Sequence, residues 1–123
     1  MKVTIIGTGY VGLVTGISLA SFGHNVFCVG RNKDKINKIN QGKPPFHEPD
    51  LGPLLEDMLG RKKFHATVDF SEAIAQSAIS ILAVGTPTIN NKIDLSEIKE
   101  AVEQIGKALR RTKAYHVVVV KST

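Results

Sequence analysis

Apolar residues follow two rhythms along the chain. Short continuous runs rich in β-branched residues occur at Lys2 to Ile6, Asn25 to Val29 and Ala78 to Val84, and His116 to Val120 holds four successive valines. Runs that are apolar on both faces suit parallel strands covered by helices on each side. Between them the spacing widens to a helical period. Leu13, Ile17 and Ala20 share a face ahead of Gly23, which suits a helix end, and Leu95, Ile98, Val102, Ile105 and Leu109 follow 3, 4, 3, 4 spacing. Asp94 with Glu97 has the form of a capping box opening that last helix, and Asp69 with Glu72 opens a shorter one ending near Ser77. Two more helices are predicted at 32–41 and 51–59, with a short third strand at Phe64 to Thr67. The link between them, GKPPFHEPD at Gly42 to Asp50, holds three prolines and is a loop.

This alternation predicts a Rossmann-like, doubly wound α/β fold with a parallel sheet ordered 3-2-1-4-5 and a sixth strand missing. The span 1–123 has the size of one domain and contains no internal repeat or interdomain linker. It reads as one dinucleotide-binding domain. The valine run is followed only by Lys121, Ser122 and Thr123, with no helix to cover it. The expectation is therefore that a partner covers this strand or that the chain is the N-terminal part of a longer enzyme.

Charge and composition exclude more than they identify. The formal net charge is +5, yet the basic residues are dispersed and no aromatic residues interleave with them, so no nucleic-acid partner is expected. An anionic, phosphorylated ligand would still profit from the excess. No apolar run approaches the roughly 20 residues of a membrane span, and the N-terminus lacks a cleavage signal, so the expected location is cytoplasmic with no membrane contact. His24, His47, His65 and His116 lie far apart, and no metal is assigned. The single cysteine, Cys28, has no disulfide partner within the chain and reads as a buried strand thiol.

The chemistry lies in GTGYVG, Gly7 to Gly12, placed between a predicted strand and a predicted helix. That context raises the motif above chance. Gly7 serves the tight turn, Gly9 lets the backbone approach a pyrophosphate, and Gly12 lets the helix pack close to the sheet. The amides near Tyr10 and Val11 then face the phosphates. The second strand should end in an acid that accepts hydrogen bonds from the ribose of NAD, but here it ends in Gly30, followed by Arg31. Gly30 removes the repulsion an acid would exert on the 2′-phosphate of NADP, and Arg31 could bind it. Alternatively Arg31 points to solvent or stacks on adenine, and Asn32 contacts the ribose.

Four segments in order make the chain resemble the N-terminal domain of the UDP-glucose/GDP-mannose dehydrogenase family. GTGYVGL at Gly7 to Leu13 is similar to its opening fingerprint, INQGKPPFHEPDL at Ile39 to Leu51 to its GxxPxxEPGL loop, AVGTPT at Ala83 to Thr88 to its fourth-strand turn, and VVVVKST at Val117 to Thr123 to its fifth-strand ending. The resemblance implies NAD-dependent, four-electron oxidation of a nucleotide sugar's C6 alcohol to a carboxylate through a thiohemiacetal, with UDP-glucose the leading substrate and a homo-oligomer as the full-length state. It implies that Gly7, Gly9, Val11 and Gly12 bind pyrophosphate and that Lys35 lies by the adenosine ribose. Val84, Gly85, Thr86 and Pro87 would border the cofactor, with Thr123 near the nicotinamide. Glu48 and Pro49 would shape the active-site edge or a subunit contact.

Two departures from the family's pattern stand out. Gly30 replaces its common Asp, which leaves NADP open beside NAD, and Asp50 replaces the usual Gly of EPGL, which puts that loop's backbone in question. The family's catalytic cysteine, general-base lysine and sugar-binding domain lie beyond the fifth strand, and Cys28 does not match the nucleophile. The chain alone is therefore expected to bind cofactor without completing the oxidation, and no catalytic residue is assigned within it. GDP-mannose 6-dehydrogenase, another hydroxyacid or 6-phosphogluconate-type dehydrogenase, and an NAD(H)-sensing regulatory module are the alternatives.

Overall fold

The computed structural model describes residues 1–121. Strand β1 (Lys2–Ile6) lies at the centre of the sheet, and its alternation divides the protein into two cores. Val3 and Ile5 belong to one core, with α1 (Tyr10–Ser21), α2 (Lys33–Asn40) and α3 (Leu51–Gly60). Ile6 belongs to the other, against α4 (Phe70–Ala75) and α5 (Ser96–Leu109). Thr4 faces that second side as well. It is fully buried, and its hydroxyl donates to the Ala73 carbonyl at 3.0 Å and lies 2.6 Å from Ser77 Oγ, so the one buried polar side chain of the central strand is satisfied by α4 and the residues after it.

The remaining strands of this sheet are β2 (Asn25–Val29), β3 (Phe64–Thr67), β4 (Ile79–Leu82) and β7 (Val117–Val120). All pairings are parallel, in the order β3-β2-β1-β4-β7. This is the expected 3-2-1-4-5 arrangement once a separate hairpin is set aside. That hairpin, β5 (Thr88–Ile89) with β6 (Lys92–Ile93), was not anticipated. Its two-residue turn puts Asn90 at φ 52° and Asn91 at φ 62°, the left-handed pair of values that matches strand twist and that asparagine tolerates. The Asn-Asn pair between Ile89 and Lys92 was the overlooked signal.

Helix ends follow the sequence closely, with two corrections. Gly23 takes φ 102° just after α1, and its N–H donates to the Ala20 carbonyl, as a helix end requires. Asp69 caps α4 by accepting the Glu72 N–H at 3.0 Å. At α5, however, Asp94 accepts from Ser96, two residues on, and Leu95 occupies the cap position with no side-chain cap. The stripe of α5 is also rotated from the expected one. Ala101, Ile105 and Ala108 are buried and Val102 is 49% exposed, because small residues let the helix approach α4 and the sheet. The fifth strand begins at Val117, since His116 leaves the ladder and contributes its ring instead. Its Nδ1–H donates to the Ser77 carbonyl at 3.0 Å, which leaves Nε2 to accept from the buried Ser80 hydroxyl at 2.8 Å.

The two edges of the sheet differ. At the β3 edge, Asn40 from the end of α2 donates to the Ala66 carbonyl and accepts the Ala66 N–H, at 2.8 and 2.9 Å, in the place of a neighbouring strand. At the β7 edge the four valines are 37 to 62% exposed. Asn40→Ala leaves both Ala66 groups without their partner and is expected to lower unfolding free energy by about 1 to 3 kcal/mol. Asn40→Asp keeps the acceptor only and should fall between, a ranking that denaturant melts can check.

Candidate functional site

The order of the sheet reverses between β1 and β4, where the chain leaves one strand to each side, and ligands of open α/β sheets bind in the crevice so formed at the carboxyl ends of the strands. Here that crevice is a cleft of about 680 Å³. Its floor is the turn after β1. Gly7, at φ 127°, donates its N–H to the Val29 carbonyl at 2.9 Å, and a Cβ on it would meet the Ala83 carbonyl oxygen at 2.4 Å. A Cβ on Gly12 would stand 2.2 Å from the Gly7 oxygen, so α1 rests on the turn. Gly12 therefore acts beneath the cleft and does not line it.

Gly9 is different. A Cβ there would meet nothing within 4 Å, and its φ of −80° is open to any residue, so the fold makes no demand for glycine at this position. The space it leaves free lies in the cleft, at the head of α1. No side chain caps that helix and its first turn carries no acid, so the amides around Tyr10 and Val11 are left for an outside anion. The Tyr10 ring packs on Phe46 of the proline-rich loop, with centroids 5.2 Å apart, which pins that loop beside the motif. In the same loop Asp50 holds φ 68°, so the residue in glycine's place adopts a glycine-like backbone.

At the β2 end, Gly30 is enclosed by its own neighbours. A Cβ there would stand 2.7 Å from Thr8 Cγ2, and its N–H donates to the Thr67 carbonyl at 3.1 Å. Arg31 lines the cleft with its side chain half-exposed, and it is engaged from the far wall. Its guanidinium crosses to α5, with Nη2 3.6 Å from Glu97 Oε1 and Nη1 hydrogen-bonded to Glu100 Oε2. Asn32 caps α2, its Oδ1 accepting the Lys35 N–H at 3.1 Å, while Lys35 lines the cleft. Cys28 lies below, fully buried, with its thiol 3.4 Å from the Gly7 carbonyl. Burial pushes its pKa up to about 12, with Lys35 opposing weakly.

On the opposite wall the cleft is bordered by Val84, Gly85 and Thr86. Pro87 falls outside it and holds the hairpin, its carbonyl accepting the Asp94 N–H at 2.7 Å. Thr123 lies outside the described residues. The cleft thus gathers Gly7, Gly9, Tyr10, Val11, Gly30, Arg31, Lys35, Val84, Gly85 and Thr86, from segments more than 70 positions apart. It also gathers Thr8, Glu97 and Glu100, which the sequence reading passed over. Glu97 reads only as a capping-box partner and Glu100 as helix surface, and only the fold brings them to Arg31. Among the described residues no group of His, Cys, Asp or Glu is placed to hold a metal ion, and no helix is long and apolar enough to cross a membrane.

A glycine turn at the switch point of a parallel sheet, opening on a cleft at the head of α1, defines the class of dinucleotide-binding domains. The chain belongs to the UDP-glucose/GDP-mannose dehydrogenase family, whose NAD-binding domain it matches over residues 1–123, and NAD is accordingly its cofactor. It is similar to GDP-mannose 6-dehydrogenase of Azotobacter vinelandii, at 41% identity over 100% of this chain and 28% of the relative. UDP-glucose 6-dehydrogenase of Rhizobium meliloti is 39% identical, with the same coverage of both chains. Among solved structures, a ternary complex of GDP-mannose dehydrogenase from Pseudomonas aeruginosa aligns with a TM-score of 0.97 at 40% identity, over 100% of this chain and 28% of that one. The chain thus spans 28% of the length of these relatives.

The Cys28 environment gives a direct check. With its thiol held protonated up to about pH 12 and no exposure to solvent, Cys28 is expected to resist Ellman's reagent in the folded chain at pH 8. It should react fully once denaturant is added; a fast native reaction would show that the strand opens. Because the folded pKa is raised, this thiol's contribution to stability is complete below about pH 9 and is lost as pH climbs towards 12.

Proposed function

We propose that this chain is the cofactor-holding part of a nucleotide-sugar 6-dehydrogenase. The observation that carries the reading is Gly9: its missing side chain leaves room in the cleft that the fold itself does not require, beside uncapped helix amides. Gly7, Gly9, Val11 and Gly12 shape the pyrophosphate seat, directly or from beneath. Lys35, with Gly30 and Arg31, lies at the adenosine end, and Val84, Gly85 and Thr86 run towards the nicotinamide, where Pro87 and Thr123 belong in the family's pattern. Bound NAD would supply a hydride acceptor for the sugar's C6.

The part these residues play is to bind and orient. No thiol nucleophile is at hand, because Cys28 is buried and protonated beneath the turn. The oxidation to a carboxylate is thus assigned to a longer polypeptide of which residues 1–123 form the N-terminal domain, working on a nucleoside-diphosphate hexose and assembling as a homo-oligomer. UDP-glucose is the substrate we assign first; GDP-mannose is the second reading, favoured by relatives at 40 to 41% identity that bear its name.

The glycines separate binding from folding. Gly9→Val should weaken NADH binding in a calorimetric titration by about tenfold or more, a loss of roughly 1.4 kcal/mol, and leave the thermal midpoint nearly unchanged. Gly12→Ala should lower both. Equal damage to stability by the two substitutions would remove the case for a ligand at Gly9. With NAD and either UDP-glucose or GDP-mannose, the chain alone should yield no steady NADH production.

A further inference from the structure

We infer that Glu97 and Glu100 select the cofactor: by holding Arg31 from across the cleft, they restore to the adenosine end the negative charge that β2 lacks at Gly30, and so reserve the site for NAD over its 2′-phosphorylated counterpart. This rests on the dinucleotide reading of the cleft.

The end of β2 is where such domains read the 2′ position of the adenosine ribose, with an acid for a hydroxyl or an arginine for a phosphate. Gly30 provides no acid, and none can be added without displacing Thr8, whose methyl group stands 2.7 Å from the place of a Cβ. Arg31, taken alone, is the residue a 2′-phosphate would seek. In the fold it is not alone. Glu97, in the first turn of α5 where the helix dipole favours an acid, and Glu100 lie three residues apart on one face of the helix. The helix is fixed in this position by the burial of Ala101, Ile105 and Ala108 beneath it.

Arg31 and its two partners together carry one net negative charge, the charge a single acid at the end of β2 would have brought. A 2′-phosphate would have to displace both carboxylates or share the guanidinium with them, against like-charge repulsion. A ribose hydroxyl is a donor and meets no such opposition. The three side chains are 54, 41 and 47% exposed, so the pairs contribute little to folding, and their weight falls on the choice of ligand. Lys35 also lines this end but forms no ion pair with either glutamate, which makes it the rival phosphate partner that a test must separate from Arg31.

The chain should be titrated with NADH and with NADPH at one salt concentration. The unsubstituted chain is expected to prefer NADH by about tenfold or more. Glu97→Gln with Glu100→Gln should improve NADPH binding by about ten- to a hundredfold while NADH stays within about threefold, and adding Arg31→Ala should cancel the gain. If the double variant fails to fold by circular dichroism, Glu100→Gln alone should give a smaller gain in the same direction. An unchanged preference in folded variants, or a gain that survives Arg31→Ala and so belongs to Lys35, overturns the inference while leaving the dinucleotide reading intact. A folded chain that binds neither cofactor overturns that reading, and the inference with it.

Discussion

Everything the cleft does depends on how closely three backbone segments pass at the end of β1. The chain must turn at Gly7 with the Ala83 carbonyl only 2.4 Å from where a Cβ would be, then rise at once into a helix whose Gly12 lies as close to the Gly7 oxygen. This tight passage brings the head of α1 over the point where the sheet order reverses, and no side chain intervenes to fill the space. Two glycines are thus committed to building the crevice. The third, Gly9, is left out of the construction and faces what the crevice is for.

The cofactor end shows the same division between what holds the fold and what faces outward, decided this time by charge. At the end of β2 stands Gly30, which Thr8 closes over, and the arginine that follows is paired from the far wall. The strand end and a helix of the opposite layer are thus joined through charge. In the proline-rich loop Asp50 likewise holds φ 68°, a backbone region that favours glycine.

Most of the architecture could be read from sequence because it is governed by local rules. The apolar runs, the Asp69 cap and Gly23 each report on a few neighbouring residues, and so does the glycine motif. What escaped was of two kinds. The β5–β6 hairpin is too short for a periodic signal and was carried by two asparagines alone. The links Arg31–Glu100 and Asn40–Ala66 join positions 69 and 26 residues apart, and neither partner is distinctive until the sheet and helices are assembled. The helix stripe of α5 was misjudged for a physical reason too, since alanine packs well but weighs little in a hydrophobic pattern. At the cleft, the glycines and the fourth-strand turn are legible, whereas Glu97 reads only as a capping-box partner and Glu100 only as helix surface.

The unequal edges give the sheet a direction. Asn40 presents an amide to Ala66 much as another strand would, so the β3 side is already answered from within, whereas β7 offers a row of backbone groups and half-exposed valines. Such an edge is a template for strand addition. Of the two edges, β7 is therefore the more open to lengthening. A strand added there would lie beside β7, whose following residue Lys121 lines the cleft, so growth of the sheet and the binding site would share a border.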